Sequence, residues 1–102
     1  MNFKQVAHFY LGCEMLKNDG SEYTLLPSSM PNNFDKEWIT YVGKPMLKKF
    51  PDDMSEQDEE ETGLNKTYEK GHNELNPYDF WYLIKEGFDL FGLIENGEAV
   101  RR

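Results

Sequence analysis

"NPYDFWYLIKEGFDLFGLIENGEAV", residues 76–100, carries a dense run of large apolar side chains, and the rest of the chain must fold around it. Asn76 is a good helix cap, Pro77 sits in the first turn where its absent N–H costs nothing, and Gly87 ends the segment. At 100° per residue Phe80, Trp81, Leu83 and Ile84 share one face, whereas Tyr78, Asp79, Tyr82, Lys85 and Glu86 lie opposite. The pattern predicts a core helix over 77–86. Phe88, Leu90, Phe91, Leu93 and Ile94 read as a further short helix closed by Asn96-Gly97, with a short edge strand at 98–100. Their apolar side chains are expected to be mainly core, because one helix face and a hairpin face with Phe9 and Leu11 leave one side of the domain uncovered.

Working outward, "VAHFYLGCEML" (6–16) is rich in β-branched and aromatic residues and is followed by the turn "KNDGSE" and by "YTLLP" (23–27). This predicts a hairpin turning at Asp19-Gly20. Strand alternation places Val6, His8, Tyr10 and Gly12 on one side and Ala7, Phe9, Leu11 and Cys13 on the other, the second being the expected core face. Residues 27–35 have loop chemistry, 37–42 read as a strand around Trp38 and Ile39, and 45–49 as a short strand or an extended connection. "PDDMSEQDEEETG" predicts a short helix capped by Ser55 with Asp58 at its third position; lacking apolar residues, it has nothing to bury. Residues 63–75 are polar and read as a mobile loop.

These elements predict an α+β fold: a small antiparallel sheet of three or four strands in the N-terminal half, packed by C-terminal helices. A chain of 102 residues makes one domain, residues 1–102. Aromatic residues form 15% of it, enough that some are expected to stay partly exposed.

Eleven basic against 19 acidic residues give a formal charge of −8, which repels phosphate backbones and anionic lipid surfaces. Neither nucleic acid nor a membrane is therefore an expected partner. With one cysteine no internal disulfide can form, and with no signal-peptide pattern the expected compartment is the cytoplasm.

The acidic run from Asp52 to Glu61 does not fit a calcium loop: started at Asp53, it puts Asp58 where glycine is needed and Leu64 where the bidentate Glu belongs. His8 and Cys13, five apart in an extended strand, lie about 16 Å apart on opposite faces, too far for a nucleophile and its base. No catalytic, cofactor-binding or metal-binding set is assigned, and an enzyme is not the favoured reading. The basic cluster Lys44, Lys48 and Lys49 is expected to balance Asp52 and Asp53. Tyr78 and Tyr82, spaced i, i+4 beside Lys85, form an aromatic strip on the polar side of the core helix and are the candidate partner-binding residues.

With "HFYLGCE", "KPMLKKFPDDMSEQD" and "FDLFGLIENGEAV" in view, the chain resembles a family of small uncharacterised proteins carried by phages and prophage-like elements of Bacteroidetes. The likeness spans about half of the sequence and implies a mobile-element context, without an activity or a site. The expected function is thus a non-enzymatic, protein-binding accessory factor, with self-association also open. The alternatives are an acidic mimic of DNA and a small hydrolase or metal-dependent enzyme.

Overall fold

The computed structural model describes residues 2–26 and 41–102. It is α+β as expected, with two corrections to the way the strands arise.

The first concerns the N-terminus. The Asn2 side chain accepts from the Gln5 N–H, and the Gln5 side chain accepts from the Asn2 N–H at 2.9 Å. This reciprocal cap starts α1 (Phe3–Val6), which continues into a 3-10 turn at Ala7–Phe9. The strand expected from residue 6 is confined to β1 (Glu14–Leu16). Phe3, Val6, Ala7 and Tyr10 are buried, which is helical i, i+3, i+4, i+7 spacing. Phe9, Leu11 and Cys13, expected to form the core face, are only partly buried against it.

Past this point the hairpin forms as expected. Asp19 accepts from both the N–H and the hydroxyl of Ser21, and β1 pairs antiparallel with β2 (Glu22–Thr24), Met15 opposite Tyr23. The expected loop at 27–35 and most of the expected strand at 37–42 lie outside the described residues; Tyr41 and Val42 are described and are not strand. Gly43 then brings the chain against Leu16. Its φ is +79°, and a Cβ there would stand 2.1 Å from the Leu16 carbonyl oxygen, so only glycine fits.

The second correction concerns the sheet, which is mixed. Its central strand is β3 (Lys44–Lys49), antiparallel to β1 through Met15 and Pro45. On β3 two strands from the C-terminal end add in parallel: β4 (Phe88–Asp89), with Lys48 opposite Phe88, and β5 (Val100–Arg101), with Met46 opposite Val100. A parallel pair needs a crossover of at least about a dozen residues, and residues 50–87 supply it between β3 and β4. The crossover contains α2 (Glu56–Thr62) and α3 (Pro77–Lys85). α2 is capped as predicted, by Ser55 accepting from the Asp58 N–H and Asp58 accepting from the Ser55 N–H. α3 starts as predicted, with the Asn76 side chain accepting from the Asp79 N–H at 2.8 Å.

Residues 88–94 are not a helix. Gly87 turns the chain at φ +84°, Phe88 and Asp89 extend along β3, and the buried Asp89 carboxylate then accepts from the N–H groups of Phe91, Leu93 and Ile94 at 3.1, 3.0 and 2.8 Å. Those three donors are captured by a side chain, so the local backbone bonds of a helix do not form there. The expectation of burial holds for this segment: Phe88 and Leu93 are fully buried, Leu90 nearly so, and Phe91 and Ile94 partly. Tyr10 ties it to the N-terminus, its hydroxyl donating to the Phe88 carbonyl at 2.7 Å and accepting from the Leu90 N–H at 3.2 Å.

Residues 63–75 have apolar anchors that their composition conceals. Leu64 and Leu75 pack on the core, Tyr68 meets the Phe50 ring at 5.4 Å between centroids, and His72 meets Phe91 at 4.9 Å. No helix among the described residues is long and apolar enough to cross a membrane.

Candidate functional site

α3 presents the aromatic surface anticipated from sequence, but rotated. The buried positions of α3 are Asp79, Leu83 and Ile84, with Phe80 and Tyr82 half-buried, whereas Trp81 is 54% and Tyr78 61% exposed. On a wheel of 100° per residue the buried arc is turned about 80° from the centre of the apolar face, towards Asp79 and Tyr82. The cause is α2, which packs on that side and offers Tyr82 a polar partner: its hydroxyl donates to Asp58 at 2.8 Å. Asp58 is itself buried, which corrects the expectation that the acidic helix buries nothing.

The outcome is a shallow depression lined by Pro77, Tyr78, Trp81, Tyr82 and Lys85. All three residues singled out from sequence, Tyr78, Tyr82 and Lys85, therefore come together, but in unequal roles. Tyr78 is exposed and donates to Glu61 at 3.0 Å. Tyr82 contributes a ring edge, its polar end being committed to α2. Trp81, assigned to the core in the sequence reading, is instead the largest exposed side chain of the patch. What turns it outward is the position of α2, which the wheel of α3 alone does not contain.

The Tyr82–Asp58 pair fixes α3 relative to α2. Burial, followed by the hydrogen bond to Asp58, raises the Tyr82 phenol well above its usual range. For Asp58 burial works against the charged form, but the Ser55 N–H and the Tyr82 hydroxyl outweigh it, and its carboxyl titrates below the ordinary carboxylate range. A carboxyl depressed on folding stabilises the protein fully above its unfolded value, about 4, and loses that contribution as pH falls through the lower folded value. Tyr82→Phe is therefore expected to lower unfolding stability at neutral pH by about 1.5–3 kcal/mol, the range for a hydrogen bond to a charged group. Urea titrations should show the difference shrinking below about pH 4. A difference that is the same at both pH values would show that Tyr82 does not act through the Asp58 carboxylate.

Burial pushes the Cys13 thiol up to about 11, the nearby Arg102 lowering it only in part, so it is neutral at physiological pH. Cys13 contacts the Met15 sulfur at 3.8 Å, and His8 stacks beside Phe9 at 4.1 Å between centroids. Among the described residues no group of three His, Cys, Asp or Glu side chains is placed to hold a metal ion. Of the basic cluster, Lys49 reaches Asp52 at 3.6 Å, while Asp53 is held by the guanidinium of Arg101 at 2.5 and 3.0 Å. Arg101 is thus a partner of the acidic turn that the local sequence did not indicate.

Comparison with protein-family models, curated proteins and solved structures finds no match to this chain.

Proposed function

We propose that the chain is a non-enzymatic protein-binding factor that meets its partner through the exposed face of α3. The observation that carries this reading is the solvent exposure of Tyr78 and Trp81 side by side, flanked by Pro77 and Lys85. Aromatic side chains are concentrated at protein interfaces because they offer large contact area at low entropy cost, and a cation at the rim adds selectivity. The resemblance of its terminal segments to small phage-borne proteins supports a mobile-element setting, in which such a factor would act on a protein of the host or of the element itself. The acidic-mimic alternative draws less support. α2 has seven residues, about 10 Å of helix, and Asp58 of that run is turned inward.

The test is a photo-crosslinking amino acid placed at Trp81 and, as a control, at Glu22 on β2, in cells that carry the protein's natural neighbours. A crosslinked product is expected from position 81 and not from 22, and it should be lost on Tyr78→Ser. Trp81→Ser should stay folded with a modest loss of about 0.5–1.5 kcal/mol, because the ring, although 54% exposed, packs on Phe9 and Phe80. Equal crosslinking from the two positions would remove the basis for this surface.

A further inference from the structure

A cleft on the far side of Lys85 from the aromatic patch has a charge opposite to that of the whole protein. Its walls come from the turn at 9–13, the end of α3, and the chain around Arg102, and it encloses about 310 Å³. Lys48, Lys85 and Arg102 line it, against one carboxylate, Glu86. Cys13 also lines it, as a neutral thiol.

Among the described residues none of the three forms a salt bridge, although the charge of Lys48 is felt by the Asp58 carboxylate. The salt bridges among the described residues are Lys49–Asp52 and Arg101–Asp53, so lysines such as Lys17 and Lys70 are unpaired too; what sets Lys48, Lys85 and Arg102 apart is that they line one cleft. Lys85 alone could be explained as a cation at the C-terminal end of a helix. Lys48 and Arg102 are not on the helix. Lys48 holds its ammonium 4.8 Å above the Phe88 ring, which leaves its donors unspent. Arg102 donates Nε to the Met46 carbonyl at 3.1 Å, which orients the guanidinium beside Gly87 and leaves both terminal amines without an acceptor among the described residues.

We propose that this cleft binds a small organic anion, with a phosphate or carboxylate head held by Arg102, Lys48 and Lys85 and an apolar body against Phe9 and Ile84. The overall charge of −8 does not forbid this, because exposed charges beyond about 8 Å are largely screened at physiological salt, whereas the three cations would touch the ligand. The volume lies at the lower end of the range for small-molecule pockets, about 300–1,000 Å³, so the ligand is small. An Arg fork and lysine ammonium groups are the side chains that hold a doubly charged oxyanion. This site shares Lys85 with the α3 surface, but it rests on Arg102 and Lys48, which that surface does not contain.

The test is a titration of isotope-labelled protein followed by amide NMR, with phenyl phosphate, benzoate and inorganic phosphate as probes at 150 mM salt. Saturable shifts are expected at Gly12, Cys13, Gly87 and Arg102. Binding of phenyl phosphate should weaken at least about tenfold, or 1.4 kcal/mol, in Arg102→Gln and in Lys48→Gln, with Lys70→Gln as an unaffected control. Phenyl phosphate binding above benzoate would identify the head as phosphate, and the reverse as carboxylate; either supports the site. Arg102 is exposed, so its variant keeps the test valid if Lys48→Gln disturbs Phe88. The proposal fails if no shift saturates by about 10 mM of either organic probe. It fails equally if binding survives Arg102→Gln, or if inorganic phosphate shifts lysine-rich surface at large.

Discussion

Replacing Phe88 with alanine is expected to lower unfolding stability by about 3–5 kcal/mol, the usual loss when a buried aromatic site is emptied. Phe88 is fully buried, sits on β4 where the C-terminal segment joins the sheet, meets the Phe50 ring at 6.1 Å and lies under the Lys48 ammonium. The substitution removes both ring contacts at once and leaves a cavity beside the strand pair. For a domain whose whole stability is about 5–15 kcal/mol, a detectable unfolded population at 37 °C should follow. Phe88→Leu should recover most of the loss, because it refills much of the volume. Denaturant midpoints of the three proteins check this; a loss under about 1 kcal/mol for the alanine variant would mean that β4 is not anchored by its side chain.

Asp89→Ala is expected to cost about 3 kcal/mol, less than the sum of three charge-assisted hydrogen bonds because water can reach part of the freed backbone. The carboxylate accepts from Phe91, Leu93 and Ile94, and Leu93 is fully buried, so at least one donor would be stranded away from solvent. Asp89→Asn keeps one acceptor oxygen and should lose about half as much. Chemical denaturation gives the energies, and hydrogen exchange at the Leu93 and Ile94 amides locates them. Protection unchanged in the alanine variant would show that the turn is held by packing alone.

Phe88 and Asp89 lie where contacts distant in sequence, not the local residues alone, set the backbone. Asn76-Pro77, Ser55 with Asp58, and Asp19-Gly20 each act within three or four residues of themselves, through caps and turns, and each formed as its residue types dictate. The apolar weight of residues 88–94 was also legible, since large apolar side chains go inward in any fold that satisfies them. One signal was present and outweighed: "NFKQ" is a capping pair, and Phe3, Val6, Ala7 and Tyr10 have helical spacing, but the β propensity of 6–16 favoured a strand.

The remainder was decided by partners distant in sequence. A run such as Phe88–Ile94 suits a helix or a strand by composition, and Lys48 and Lys49 offering an unpaired edge, with Tyr10 bonding Phe88 and Leu90, selected the strand. The face of α3 that points outward was set in the same way. By its own periodicity the helix would bury Trp81; α2, reaching Tyr82 through Asp58, turned it. Helix caps and turns are settled by chemistry within one turn of chain, and so the sequence determined them. Which side of an ambiguous segment faces water depends on the difference between the surfaces that other segments bring to it, and only the tertiary structure supplies those surfaces.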